Sequence, residues 1–172
     1  MKTKFLLVAV FAFVAVGAVQ AADSTKPASR VEVVFIQPEK FTDLKDEYMD
    51  SGRAREHILG EIQSQLQMLG RRYVGEGQHL EVKVIDVDLA GDFEPWRGMG
   101  FDDIRIMREI YPPRMEIEFR LTDASGKVLS EGKRQLRSLG YLMTTAMPTW
   151  DPLRYDKELL REWMGREFKR VS

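Results

Sequence analysis

The chain has 172 residues, no cysteine, and 27 acidic against 26 basic residues. The missing cysteines exclude a disulfide-stapled scaffold and a lipid attached through an N-terminal thiol, so the fold must depend on an apolar core. The nearly balanced charge lacks the basic excess of a nucleic-acid-binding protein, and we expect no nucleic acid partner.

The first 21 residues have the layout of a secretory signal peptide. Lys2 and Lys4 form a basic segment, residues 5–19 are an unbroken apolar run, and small residues follow up to Ala21. The apolar run is shorter than the roughly 20 residues that span a bilayer. We therefore expect cleavage near Ala21, a periplasmic or secreted product, and no transmembrane segment in the mature chain.

The mature chain is predicted to begin with a flexible, polar exit segment at residues 22–30. Residues 31–172 have the length of one globular domain. Apolar residues on both faces of residues 30–37 predict a strand that is buried on both sides and that ends at Pro38.

Residues 53–74 carry the clearest helical pattern of the chain. One apolar stripe recurs at steps of three and four residues, which predicts an amphipathic helix that packs on a sheet. Asp50 or Ser51 is a suitable N-cap, and Gly75 follows the predicted end. The stripe consists of Ile58, Ile62, Leu66, Leu69 and Tyr73.

Three further strands are predicted. Residues 79–89 alternate with a change of parity that indicates a bulge, and residues 114–122 alternate without interruption. A turn at 123–127 leads into a strand at 128–136, and this hairpin places Glu116 opposite Arg134 if the turn closes symmetrically. The long connection before residue 114 contains a candidate short strand at 104–107.

Asp151 and Pro152 combine an N-cap acid with a proline of the first helical turn, so they predict a C-terminal helix. The element order is β-α-β-β-β-α. We therefore predict an α+β fold with a mixed or antiparallel four-stranded sheet and two helices on one face.

The acidic stretch at residues 86–94 suggests a metal site. Its carboxylates, if brought together, would suit a hard cation such as calcium, although Ala90 and Arg97 fall where a calcium-loop motif needs ligands. A solvated strand end and turn is the alternative. The candidate ligands are Asp86, Asp88, Asp92 and Glu94.

Two aromatic segments around Trp96 and Trp150 are typical of a binding surface, because aromatic and arginine side chains bury much area with little loss of rotamer freedom. The alternative is that their aromatic side chains close the end of the core. The candidate binding residues are Phe93, Trp96, Arg97, Tyr111, Tyr141 and Trp150.

Sequence motifs for catalysis do not match the chain. His57 and His79 are the only histidines, and neither has a partner at zinc-ligand spacing. Serine-hydrolase, phosphate-binding and dinucleotide-binding motifs do not match either. We expect no cofactor and favour a non-enzymatic role, with a metal-dependent hydrolase or metal-binding protein as the alternative.

Four segments together resemble an exported bacterial family known as domain of unknown function 3016. They read VEVVF at 31–35, DVDLAGDFEPW at 86–96, IYPPR at 110–114 and DPLRY at 151–155. The resemblance spans nearly the whole mature chain and implies a periplasmic or secreted bacterial protein. It supplies no activity, so the expected role is a binding module for an envelope protein or another envelope component.

Overall fold

The computed structural model describes residues 30–44, 52–98, 104–144 and 150–169. The predicted signal peptide, nearly all of the exit segment and the candidate caps of the first helix lie outside these ranges. Within them, no helix is both long enough and apolar enough to cross a membrane. The helices and strands, in chain order, are β1 (Val31–Phe35), α1 (Gly52–Tyr73), β2 (His79–Asp88), β3 (Asp92–Phe93), β4 (Arg105–Ile106), β5 (Arg114–Thr122), β6 (Val128–Arg137) and α2 (Arg154–Glu167).

Four of the strands form a mixed sheet in the order β1-β2-β5-β6. β1 runs parallel to β2, whereas β2, β5 and β6 are antiparallel neighbours. The predicted α+β class and element order are confirmed. The predicted bulge in β2 is also confirmed, because the register with β5 shifts between Val84 and Asp86.

The two helices cover one face of this sheet. α1 contacts β1, α2 contacts β6, and the helices contact each other. Lys157 fixes the helix pair, because its ammonium donates to Glu61 of α1 at 2.6 Å and to Asp151, before α2, at 2.8 Å. The largest fully buried side chains between helices and sheet include Ile62, Leu66, Leu69, Leu80, Ile117, Leu159, Leu160 and Trp163.

Three details differ from the sequence predictions. β1 lies at the sheet edge and only Val31 is buried in it, so it is not covered on both faces. The hairpin contains a register shift after Leu121, so Glu116 pairs with Gln135. α2 begins at Arg154 with Leu153 at its N-cap position, and the Asp151 side chain accepts from the Leu153 amide before the helix starts.

A second, two-stranded sheet forms inside the long connection between β2 and β5. Asp92 pairs with Ile106 and Phe93 pairs with Arg105, in antiparallel register. The candidate strand at 104–107 is therefore confirmed for its central two residues. This small sheet gives the connection a backbone framework of its own, and it carries the residues that build the candidate site.

Candidate functional site

The long connections converge at one end of the four-stranded sheet. Asp88 at the end of β2 pairs with Arg114 at the start of β5, and Arg114 pairs with Arg137 at the end of β6. The connection at residues 89–113 and the segment after β6 therefore leave the sheet side by side. We call this region the loop end; it comprises residues 89–98, 104–113, 138–144 and 150–156.

Arg105 is the centre of the loop end. Its Nη1 donates to the carbonyl of Gly91 at 2.6 Å and to the carbonyls of Leu89 and Ala90 at 3.3 Å. Both terminal nitrogens also donate to Asp43 Oδ2 at 3.0 Å. The same Asp43 oxygen accepts from the Leu89 amide at 2.8 Å. One guanidinium thus ties the end of β2 to the segment that follows β1.

Burial affects the protonation of Asp43. Arg105 and Asp43 are each about four-fifths buried. Removal from water raises the pKa of Asp43, and the nearby Arg105 charge opposes that rise. Arg105 is therefore held in place by hydrogen bonds as well as by charge. Its guanidinium also donates to the three carbonyl groups that follow β2, which have no partner in the sheet.

Asp156 fixes the same turn from the side of α2. Its carboxyl is 1% exposed, and Oδ1 accepts from the Ala90 amide at 3.0 Å. Oδ2 has no hydrogen-bond partner within the ranges that the structure describes. Burial raises the pKa of Asp156 to about 7, so the carboxyl group is partly protonated near neutral pH.

A second buried acid holds the outer part of the loop end. Glu94 is 0% exposed, and its Oε1 accepts from the Tyr111 hydroxyl at 3.1 Å and lies 3.2 Å from Arg108 Nη1. The Tyr141 hydroxyl donates to the Arg108 carbonyl at 2.6 Å, and its ring meets Tyr155 edge to face at 4.8 Å. Side chains from four separate segments therefore interlock here.

The six predicted binding residues divide into two kinds. Tyr111 and Tyr141 belong to the hydrogen-bonded network around Glu94 and Arg108 that is described above. The centre of the Phe93 ring lies 5.0 Å from the Arg105 guanidinium. Trp96 and Trp150 project outward, with 72% and 82% of their surface exposed. The side chain of Arg97 lies outside the described part of the structure, although its backbone is placed in a short 3-10 helix with Trp96.

Exposed apolar side chains concentrate at the loop end. Eleven large apolar residues are exposed among the residues described, and seven of them lie in this one region. The other four are spread over the end of β1, α1 and the start of β6. We call the seven the apolar patch: Trp96, Ile104, Ile110, Leu139, Leu142, Met143 and Trp150.

Each of the four predicted metal ligands interacts with other partners. Asp86 accepts from the amide and hydroxyl of Thr42, both at 2.7 Å, and Asp88 lies 3.7 Å from Arg114. Asp92 accepts from the amide of its own neighbour, and Glu94 is held as described above. Within the described ranges, no group of three or more acidic or histidine side chains is placed to hold a metal ion.

Asp43, Arg105 and Asp156 were not predicted as site residues from the sequence. Asp156 did carry a signal, because it lies on the buried stripe of α2, four residues before Leu160. An acid at such a position must find a polar partner when the helix packs. Asp43 and Arg105 lie in irregular or very short elements whose residues follow no periodic pattern, so nothing singled them out.

Comparison with known proteins identifies the family of the chain. A family model described as a protein of unknown function, DUF3016, matches residues 29–166, and the chain therefore belongs to this family. No curated protein and no solved structure matches the chain significantly. The family match ends within α2 and covers the sheet, both connections of the loop end and most of the core.

Proposed function

We propose that this member of the DUF3016 family is a bacterial, non-enzymatic binding module, exported to the periplasm or beyond. In this proposal it holds an envelope protein or another envelope component against the apolar patch. The signal-peptide pattern of residues 1–21 supports the proposed export. The binding half depends on one observation, the concentration of exposed apolar side chains at the loop end.

The composition of the apolar patch favours recognition. Exposed leucines scattered singly over a surface need no explanation, but a concentration of large apolar groups in one region is typical of an interaction site. Tryptophan is among the residues that contribute most when an interface forms. Trp96 and Trp150 are both largely exposed, and neither is among the buried residues of the core.

The hydrogen-bonded network beneath the apolar patch favours binding without a large rearrangement. Asp156 accepts from the Ala90 amide and Arg105 donates to the Gly91 carbonyl, so both hold the backbone of the long connection, and Glu94 accepts from the Tyr111 side chain. A surface that is already ordered loses less conformational entropy when it binds a partner. The interlocked acids and tyrosines therefore support the exposed tryptophans in this proposal and do not contact the partner themselves.

Site-specific photocrosslinking in the envelope of expressing cells tests the binding role. A photoreactive phenylalanine analogue is placed at Trp96 or Trp150 and, as a matched control, at Met68, which is an exposed apolar residue of α1 outside the patch. We expect the same discrete adduct from positions 96 and 150 and none from position 68. Equal adduct patterns from all three positions contradict the proposal.

Alanine substitution separates binding from folding. W96A and W150A remove exposed groups, so each should change the free energy of unfolding by less than about 0.5 kcal/mol. Each variant should nevertheless reduce the adduct formed from the other tryptophan position. A loss of several degrees in melting temperature would show that these side chains belong to the core, and the binding role would then lose its support.

Mass spectrometry of the protein recovered from the envelope or the medium tests export independently. The proposal expects a mature chain that starts at or near Ala22. A full-length chain that stays in the cytoplasm would contradict the export half and leave the crosslinking result to be judged by itself.

A further inference from the structure

β6 has an open edge. β5 pairs with one side of β6 along nearly its whole length, and no strand in the described part of the chain pairs with the other side. β6 spans ten residues, from Val128 to Arg137. An edge of this length presents a row of backbone donors and acceptors to which another strand can bind.

Opposite charges flank the middle of this edge. Glu131 and Lys133 lie on either side of Gly132, and both point to the face of the sheet that the helices leave uncovered. Their neighbours on β5 fix this orientation, since Glu131 is opposite Arg120 and Lys133 is opposite Glu118. Each side chain already pairs with β5, Glu131 with Arg120 at 3.0 Å and Lys133 with Glu116, and each remains about half exposed.

We propose that β6 pairs antiparallel with β6 of a second copy of this chain, around a two-fold axis at Gly132. The two four-stranded sheets then become one continuous sheet of eight strands. In this register Glu131 of each copy lies opposite Lys133 of the other, so two ion pairs form across the interface. Two symmetry-related pairs are expected of an isologous contact.

Charge selects this register over its neighbours. Residues directly opposite each other in an antiparallel pair lie on the same face of the sheet, so their numbers differ by an even number. The two-fold axis must therefore lie between two copies of the same residue. An axis at Glu131, Lys133 or Arg134 places two identical charges opposite each other, which is unfavourable. An axis at Gly132 places no charged residue opposite its own copy, and it brings Glu131 opposite Lys133.

The helix layer also permits the pairing. α1 contacts β1 and α2 contacts β6, so each helix covers about two strands. Strands lie about 4.8 Å apart and packed helices about 8 to 10 Å apart, so one helix is as wide as two strands. Two helices per four strands therefore also fit on the extended sheet of eight strands. α2 of one copy then lies beside α2 of the other.

Complementary charge variants test the register. E131K places lysine opposite lysine twice across the interface, and K133E places glutamate opposite glutamate twice. In analytical ultracentrifugation of the purified protein, each variant alone should dimerise at least about tenfold more weakly than the original chain. An equimolar mixture of the two variants should restore the dimer, because every cross-interface pair is again of opposite charge.

Single cysteines test the axis, because the chain has no other thiol. The G132C side chains of two copies would face each other within disulfide distance, so mild oxidation should give a covalent dimer. The atoms nearest to the new Cβ belong to the guanidinium of Arg134, which bonds Glu167 and must shift to make room. Q135C is the matched control, since two such residues lie roughly 20 Å apart in this register and should not crosslink.

Three outcomes would overturn the inference. The original chain sediments as a monomer up to about 100 µM; G132C and Q135C crosslink to the same extent; or the mixture of charge variants dimerises no better than either variant alone. A dimer that crosslinks through other positions points to a different strand or surface. W96A should leave the dimer unchanged, so failure here and failure of the proposed binding role are distinguishable.

Discussion

The two ends of the sheet hold their connections in different ways. At the hairpin end, Asp123 accepts from the amides of Ser125 and Lys127 and from the Ser125 hydroxyl, at 2.6 to 3.0 Å. This five-residue turn satisfies its own polar groups. At the loop end, the equivalent bonds come from Asp43 and Asp156, which are far away in sequence.

The difference follows from the length of the connection. A short turn leaves few backbone groups without partners, and one nearby side chain serves them. A long connection cannot satisfy its buried amides and carbonyls locally, so side chains from other elements must do so. Those side chains become buried charges, and the surface above them is free to carry apolar groups. The loop end is therefore both the more vulnerable part of the fold and the better candidate for recognition.

The largest expected difference between the two ends is in how their aspartates, Asp156 and Asp123, make the free energy of unfolding depend on pH. Burial raises the pKa of Asp156 to about 7, whereas hydrogen bonds from Ser125 and Lys127 lower the pKa of Asp123. As pH rises from 4 to 8, the unfolded chain loses the Asp156 proton before the folded chain does. The Asp156 contribution to the free energy of unfolding should therefore decrease over this range, by on the order of 4 kcal/mol.

Urea denaturation of the D156N variant between pH 4 and pH 8 isolates that contribution. The asparagine side chain of this variant cannot ionise, so the variant should gain stability relative to the original chain as the pH rises. D123N is the control at the hairpin end, and it should lose relative stability as the pH rises through the acid range, because the folded state favours the ionised Asp123. Parallel pH profiles of D156N and the original chain would show that Asp156 titrates normally.

Removal of the Arg105 guanidinium should have the next largest effect. R105A leaves Asp43 without its cationic partner in a largely buried site and also releases the Gly91 carbonyl. We expect a loss of about 3 kcal/mol in the free energy of unfolding, measured in urea at pH 7. The contrast with R114A is informative, because Arg114 lies at the same end but is half exposed and 3.7 Å from Asp88.

R114A should cost less than about 1 kcal/mol. If both variants lose the same amount, the arginine network at the loop end contributes through overall charge, and the specific bonds of Arg105 are not decisive. The R105A loss should also shrink at acidic pH, because protonation of Asp43 removes the unpaired buried charge.

The regular elements could be predicted from the sequence because their signals are local. The stripe of α1 and the alternation of β5 both repeat within one element, and both follow directly from burial on one face. The loop end offered no such repeat. Arg105 meets Asp43 across 62 residues and Ala90 meets Asp156 across 66, and no spacing rule connects such positions.

Two arrangements considered from the sequence differ from the structure, each for a local physical reason. The hairpin register shifted because β6 contains one extra residue relative to β5 between Leu121 and Thr122, which a count from the turn does not reveal. The acidic stretch resembled one cluster because its members are close in sequence. In the structure, Asp86 and Glu94 lie on different elements and bind different partners.

Two glycines with positive φ give the finest comparison of the two ends. Gly91 has φ +80° and Gly126 has φ +84°, so a side chain strains the backbone at either position. A Cβ at Gly126 meets nothing within 4 Å, whereas at Gly91 it would lie 2.9 Å from the Ile106 carbonyl oxygen. The two positions therefore share the backbone strain and differ in the space around the new side chain.

Alanine at each glycine separates these two costs. G126A should cost about 1 kcal/mol from backbone strain alone. G91A should cost about 1 kcal/mol more, because the oxygen belongs to the paired β3-β4 backbone and cannot move aside. Thermal unfolding of both variants under the same conditions measures the difference, and equal losses would mean that the β3-β4 pair yields as easily as an exposed turn.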